Sequence, residues 1–558
     1  MQLTDDLLAR LLAAGQIPPA RVPMLQKECR DDAFEFARMA TQHGWLEQDV
    51  AGKVIGDAIQ CTYLNLETTL FQPDVIALLP RESAERYKAI PVYQFGPSVT
   101  MAMTAPQDTR IVAALSRLLR HPVDPLLSFP DEIESAIRVH YQSSETVDRL
   151  ALTVDFDILA SLQDEKLAEL APVIQLTDAV ILLALKERAS DIHVEPKEQE
   201  CLIRFRIDGM LCDRLQLPGK LARPLTSRLK VLARMDIAER RKPQDGRIDF
   251  ALPLKKIDIR VSTLPTLHGE KIVMRLLGSI TDTTPLNLDK IGIAPGILQP
   301  LQETLHAPNG ILFVTGPTGS GKTTTLYAAL NYINTPTVNI MTIEDPIEYQ
   351  LPSLTQVQVD ERAGRSFAAV LRAVLRQDPD IILIGEIRDT ETATIAVKAA
   401  LTGHTVLASL HTNNALQAML RLVDMGVEPY AVAPAVIGVL GQRLVRKICE
   451  QCRVPYTPEQ EVLARHFFWN DTVALPVFYR GEGCENCAYT GYRGRLGIHE
   501  FLQISLAMRD YILQGRTYME IRELAYQEGF RDMRFDGFVK ALQGMTTLDE
   551  VVRVTAAD

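Results

Sequence analysis

A chain of 558 residues, 47% hydrophobic and 23% charged, has room for three or four ordinary globular domains and is neither a disordered tail nor a fibre. Its formal charge of −11 argues against a long nucleic-acid backbone as the main partner. The longest apolar run of note, Ala179 to Leu185, is far short of the ~20 residues that span a bilayer. The opening Met1-Gln2-Leu3-Thr4-Asp5-Asp6 is acidic and polar rather than a cationic, apolar signal, so a cytoplasmic location is expected.

Residues 1–142 start helical and then turn mixed. Pro91–Phe95 and Ser98–Ala105 read as strands, the second alternating Val99, Met101 and Met103. Asp108–Arg120 reads as a helix, Val123–Phe129 as a strand and Asp131–Tyr141 as a helix, which makes a small α/β domain. The polar stretch Gln142 to Thr146 divides it from a second mixed domain at 150–280. There, Val173, Leu176, Val180 and Leu183 mark one helix face, and strands are expected at Cys201–Ile207, Asp258–Ser262 and Lys271–Leu277. Arg234 to Arg247 is dense in charge, and Arg260 and Arg275 fall inside two of the strands. Most arginines are solvated, and spacing alone singles out none of them.

Gly278 to Pro285 is a second polar divider. From 286 to 558 strand and helix patterns alternate, with strands at Ile311–Thr315, Val338–Ile343, Ile381–Ile384 and Thr405–Leu410. That alternation predicts a doubly wound, largely parallel sheet, which binds ligands at the carboxyl ends of its strands.

The first of these strands runs into Gly316-Pro317-Thr318-Gly319-Ser320-Gly321-Lys322-Thr323-Thr324, and a helical pattern at Leu326, Tyr327, Ala328 and Leu330 follows. A G-x-x-x-x-G-K-T loop between strand and helix is a phosphate-binding loop. Its glycines let successive N–H groups face a polyphosphate at a helix N-terminus. Lys322 is expected to reach the β- and γ-phosphates of ATP, and the Thr323 hydroxyl to ligate Mg²⁺. A Gly-rich turn with a stray lysine is the bland alternative, and it explains neither flank.

A phosphate-loop enzyme needs a carboxylate beside the metal and the attacking water. Glu386 follows the strand Ile381–Ile384 at its carboxyl end, whereas Asp380 stands at the wrong end. Glu344, Asp345 and Glu348 gather at the carboxyl end of another strand that Pro346 stops, and one of them is expected to act as general base. A solvated acidic turn is the alternative. His411, with Thr412 and Asn413 after it, can hydrogen-bond a phosphate or relay its presence, unless it is a plain loop histidine. His404 and His411 are seven positions apart, an odd offset that reverses the strand face and speaks against a shared metal.

Cys449-x2-Cys452 and Cys484-x2-Cys487 are two knuckles with 31 residues between them (453 to 483). Paired C-x2-C units in a chain expected to be cytosolic point to a closed, structural zinc site of four thiolates, with a protruding insert between the knuckles. Reduced thiols or a redox pair are the alternatives. Cys29, Cys61, Cys201 and Cys212 are scattered and read as small buried hydrophobes.

Arg188 to Pro196, Arg204 to Gly209, Met235 to Arg247 and Arg260 to Pro265 together resemble the second N-terminal domain of the secretion and pilus-assembly ATPases. Thr342–Glu348 is similar to that family's aspartate box, Leu401–Asn413 to its histidine box and Gly385-Glu386 to its atypical Walker B ending. The tetracysteine module and Gly491–Glu500 match the assembly members; retraction motors lack that insert. The likeness runs from about residue 165 to the C-terminus, and the first domain looks loosely like the family's extra N-terminal module.

The resemblance implies a RecA-like P-loop ATPase domain with a four-cysteine zinc insert at about 445–490, preceded by two smaller mixed α/β domains. It implies a homohexameric cytoplasmic motor, peripheral at the inner membrane, that works with a membrane platform protein and a cytoplasmic adaptor. Such a motor hydrolyses ATP to add pilin-like subunits, for type II secretion or type IV pilus extension. Arg260 and Arg275 become candidates to contact ATP, with delivery across subunits. Some relatives bind cyclic di-GMP through Arg-Leu-Gly-type motifs in the first domain; residues 1–142 hold none, so that binding is not expected. The rival from another class is a motor that translocates along nucleic acid, and neither the acidic balance nor these motifs favour it.

Overall fold

The apolar periodicities of the sequence resolve, in the computed structural model, into four sheets among the described residues. Those residues are 3–556 apart from 16, 31, 67–68, 70, 142–143, 153, 155–162, 253–255, 278–286, 349, 352, 460, 462 and 464–475. The chain divides into two units, Met1–Thr283 and Thr284–Asp558. The expected divider Gly278 to Pro285 falls outside the described residues.

In the first unit β1 (Ala89–Phe95), β2 (Ser98–Met103) and β3 (Val123–Leu127) form a sheet, antiparallel between β1 and β2 and parallel between β2 and β3. The helix after β2 runs Thr109–Leu119 because Asp108 caps it, accepting from the N–H groups of Arg110 and Ile111. The polar stretch read as a divider continues as a helix, Ser144–Leu152. Val147 and Ala151 from that helix are buried in the next core, since Val147, Leu150 and Ala151 fall on one helical stripe.

The second sheet of this unit is antiparallel in the order β6-β5-β4-β9-β8-β7. Its strands are β4 (Asp191–Pro196), β5 (Glu200–Ile207), β6 (Met210–Pro218), β7 (Gln244–Ala251), β8 (Lys256–Thr266) and β9 (Gly269–Leu277). The sequence expectation covers only β5, β8 and β9. On β7, Ile248 and Phe250 are buried while Arg247 and Asp249 stay exposed, and a half-solvated strand has the composition of a charged loop. The helix Ala171–Lys186 packs on this sheet and is buried around most of its circumference, which hides the single stripe read from Val173, Leu176, Val180 and Leu183.

The second unit is built on a seven-stranded sheet. Its strands are β10 (Gly310–Thr315), β11 (Ile340–Glu344), β12 (Thr355–Gln358), β13 (Ile381–Ile384), β14 (Thr405–Leu410), β15 (Val436–Ile448) and β18 (Tyr492–Gln503), in the order β12-β11-β13-β14-β10-β15-β18. Every neighbouring pair is parallel except β15 with β18. Ile311 and Phe313 of β10 enter one apolar core and Leu312 and Val314 the other, so helices cover both faces. This is the doubly wound, RecA-like arrangement expected for the ATPase domain. β15 and β18 continue as a long antiparallel ribbon, and between them lie β16 (Arg453–Tyr456) and β17 (Phe478–Gly481), paired antiparallel.

Candidate functional site

β10 ends at Thr315 and the helix Lys322–Ile333 begins after it, so residues 316–321 form the loop between them. Gly316 has to be glycine: at φ +151° a Cβ there would stand 2.3 Å from the Gln442 carbonyl oxygen. Gly321, the N-cap, sits in the left-handed region at φ +88°. Pro317, Thr318 and Gly319 form an exposed crest, and Thr323 and Thr324 are exposed on the first helical turn. Lys322 is buried, its Nζ donating to the carbonyls of Gly316 at 2.8 Å and Pro317 at 3.1 Å. Burial lowers the Lys322 pKa, and the charge of Glu386 opposes that shift. The Ser320 hydroxyl is buried without a hydrogen-bond partner among the described residues.

Glu386 lies two residues beyond β13. Arg388 Nη2 stands 2.5 Å from one of its oxygens, and His411 Nε2 stands 3.2 Å from the other. The Ser409 hydroxyl donates to the Gly385 carbonyl at 2.6 Å and Ile387 N–H to the Ser409 carbonyl at 3.1 Å, which fixes the strand ends that carry both residues. His411 also borders a cleft of about 320 Å³ lined by Asn413, Gln417, Arg421 and Asp424 among others. His404 sits at the opposite end of β14, its Nδ1 2.9 Å from the Ala399 carbonyl oxygen.

Glu344 closes β11 and is buried. One of its oxygens accepts from the Thr342 hydroxyl at 2.5 Å and from Gln356 Nε2 at 3.1 Å, and the Tyr327 hydroxyl donates to the other. Glu348 is exposed on the loop that follows. The structure thus separates the three carboxylates of the acidic box into one that is buried, Glu344, and two that are exposed, Asp345 and Glu348.

Arg260 and Arg275 belong to the first unit, where they are register partners on β8 and β9. Arg275 Nε donates to Asp191 Oδ1 at 3.0 Å, and Arg206 Nε lies 3.8 Å from the other oxygen of that aspartate. The two candidates therefore stand side by side on one sheet face.

The four cysteine sulfurs lie within 4.8 Å of one another. Cys449 to Cys484 is 3.8 Å, Cys452 to Cys487 3.9 Å and Cys484 to Cys487 3.8 Å. Tetrahedral zinc with bonds of about 2.3 Å requires sulfurs about 3.8 Å apart, so the donor set fits that ion. Gly483 N–H donates to the Cys452 sulfur, and the N–H groups of Cys484 and Gly491 donate to that of Cys487, as suits thiolates. Cys29 and Cys201 are buried as expected, but Cys61 and Cys212 are only partly so.

Several residues at this site escape the motifs. Gln442, from β15, donates through Nε2 to the Ser320 carbonyl at 2.8 Å and accepts from the Thr325 hydroxyl at 2.6 Å. Its neighbour Arg443 donates to the Asn413 carbonyl at 3.1 Å, two residues after His411. A polar pair inside the otherwise apolar stretch 436–445 was the available signal, since buried polar groups need partners.

Residues 166–553 match the family described as Type II/IV secretion system protein, and residues 59–147 match the MshEN domain. The chain is 39% identical over 545 residues to the type IV pilus assembly ATPase PilB of Myxococcus xanthus, with 96% of each chain covered. It is 47% identical over 444 residues to the type II secretion system protein HxcR of Pseudomonas aeruginosa, covering 79% of this chain and 90% of that one. The X-ray structure of the Legionella pneumophila ATPase DotB shares the fold, with a TM-score of 0.52 at 22% identity over 69% of this chain and 96% of that one. By its sequence the chain belongs to the type II/IV secretion system protein family.

Proposed function

We propose that this protein is a Mg²⁺-dependent ATP hydrolase whose turnover drives assembly of pilin-like subunits, for type II secretion or for type IV pilus extension. The observation that carries it is the convergence of Lys322, Glu386 and His411, which follow the carboxyl ends of the parallel strands β10, β13 and β14 respectively, with β14 between the other two. The names of the relatives, a pilus assembly ATPase and a type II secretion protein, supply the work that hydrolysis drives.

In this reading Lys322 exchanges its two loop carbonyls for the β- and γ-phosphates, and the Thr323 hydroxyl ligates Mg²⁺. Bound ATP–Mg²⁺ supplies an electrophilic γ-phosphorus with ADP as the leaving group. Gly316 through Thr324 provide the N–H groups that hold the phosphates. Glu386 faces the metal and its water, and His411 reports the γ-phosphate through the contact with Glu386. Glu344, gripped by three donors, anchors the loop that carries Glu348, and one of these two carboxylates takes the proton of the attacking water. Arg260 and Arg275 neutralise phosphate charge from a neighbouring subunit of a homohexamer.

Cys449, Cys452, Cys484 and Cys487 hold structural zinc, for which the sulfur spacing is the support. The protein works in the cytoplasm, at the inner membrane through a platform protein and an adaptor; none of its described helices is long and apolar enough to cross a membrane. With no Arg-Leu-Gly motif in residues 1–142, the MshEN match is assigned to docking rather than to cyclic di-GMP. Phosphate release with and without Lys322→Ala tests the assignment. Loss of about 10²- to 10³-fold in turnover is expected, and undiminished hydrolysis would sink it. Added DNA or RNA is expected to leave the rate unchanged; salt-sensitive stimulation would favour the translocating motor instead.

A further inference from the structure

We propose that Gln442, midway along β15, is a positioning residue for ATP, whose side chain sets the direction in which the phosphate loop presents the Gly321 N–H. Its single amide bridges the loop and the helix: Nε2 donates to the Ser320 carbonyl at 2.8 Å and Oε1 accepts from the Thr325 hydroxyl at 2.6 Å. The residue is 4% exposed. Its main chain and side chain also lie directly against two of the loop glycines. A Cβ at Gly316 would come within 2.3 Å of the Gln442 carbonyl oxygen, and one at Gly321 within 2.8 Å of Nε2.

Peptide planarity turns this contact into a functional one. The Ser320 carbonyl and the Gly321 N–H are opposite ends of one planar trans peptide, so fixing the first fixes the second on the other side of the plane. Gly321, at φ +88°, carries no Cβ to select between orientations of that peptide. Gln442 makes the selection by drawing the carbonyl toward β15. The amide has one productive orientation, because reversing it would set Oε1 against the Ser320 carbonyl, an acceptor facing an acceptor.

The platform beneath Gln442 is firm. β15 is paired on one side with β10, where Gly441 is the register partner of Thr315, and on the other with β18, where Gln442 faces His499. Lys322 must give up its carbonyl partners when phosphate binds, whereas the partners of Gln442, the Ser320 carbonyl and the Thr325 hydroxyl, are not the groups that the loop turns to phosphate, so it keeps its own. It thereby holds the curl ready between turnovers, which lowers the ordering cost of binding.

This role presupposes that the loop binds ATP, as proposed for the function. In the full-length protein, Gln442→Met keeps the side-chain length and removes both hydrogen bonds. It is expected to raise the KM for ATP and the Kd for ADP about three- to tenfold, the range for one buried hydrogen bond, while kcat falls less. Gln442→Glu keeps the acceptor for Thr325 but sets a carboxylate against the Ser320 carbonyl, and it is expected to weaken binding further. Should Gln442→Met fail to fold, Thr325→Val removes the amide's anchor from the other side and carries the same expectation. A lowered melting temperature with KM and Kd at wild-type values would make Gln442 structural only and overturn the proposal. Lys322→Ala separates the two levels. Unimpaired ATP binding in that variant refutes the loop as the nucleotide site, whereas binding lost there but wild-type in Gln442→Met refutes the positioning role alone.

Discussion

The phosphate loop and the tetracysteine cluster sit in the same unit, and β15 touches both, through Gln442 at the loop and through its end before Cys449 at the cluster, yet they are finished in opposite ways. At the cysteines, sulfurs 3.8 to 3.9 Å apart already suit a tetrahedral ion, and backbone N–H groups meet the thiols. At the loop, the Lys322 ammonium rests on the carbonyls of its own loop, the Ser320 hydroxyl has no partner and the crest is exposed. A site built to hold structure satisfies its polar groups internally. In the proposed function, the loop's polar groups hold provisional partners that ATP displaces.

The sharpest way to break this contrast is to remove the metal. Structural zinc is worth about 10 kcal/mol or more in such sites. Excess chelator acting on the intact chain is therefore expected to unfold the segment between β15 and β18. Elemental analysis should show the loss of one zinc, and limited proteolysis new cleavage between Cys449 and Cys487. Unchanged protease resistance in a protein that carries no metal would make the cluster a set of ordinary thiols. Lys322→Ala is the counterpart at the loop: turnover collapses while the melting temperature stays within a few degrees, because the ammonium's present partners are provisional.

A smaller effect tests how firmly β15 is tied down. Glu550, on the helix Leu548–Thr555, accepts from Arg446 N–H at 3.0 Å, from Arg446 Nη2 at 2.7 Å and from Arg553 Nε at 2.9 Å. Burial raises its pKa, but the bonds from Arg553 and Arg446 outweigh this and bring it from 4.5 to about 2. The folded value lies below the unfolded one, so the contribution is complete above about pH 4.5 and is lost as pH falls toward 2. Glu550→Gln is expected to flatten the decline in melting temperature across that window. Parallel declines in the two proteins would show that this tie adds nothing.

How far the sequence reveals each site follows from the distance between its parts. The phosphate loop and each C-x2-C knuckle place their groups within a few residues, so spacing is already geometry. β10, β13 and β14 are legible too, because strands buried on both faces read as nearly continuous apolar runs. β15 is not, since Gly438, Gly441, Gln442 and Arg443 interrupt its run. The partners that explain Gln442, Ser320 and Thr325, lie 122 and 117 positions away. The grip of Tyr327 and Gln356 on Glu344 is hidden for the same reason, as it comes from a helix and a strand on either side of β11. Arg388 stands two residues from Glu386, yet arginines near strand ends are too common to single it out. In the first unit, β6 and β7 escape because their solvated faces carry the charge of loops, and β4 because its buried Asp191 and Glu195 are paired with Arg275 and Lys271, 84 and 76 positions away.

The most direct test of the composite site is Glu386→Gln in the full-length chain, with ATP affinity and phosphate release measured on the same preparation. Loss of roughly 10²- to 10⁴-fold in turnover with ATP still bound at near wild-type affinity is expected if Glu386 serves the metal and water rather than the phosphates. Wild-type turnover in that variant would contradict the account, because it would leave the convergence of Lys322, Glu386 and His411 without a catalytic purpose.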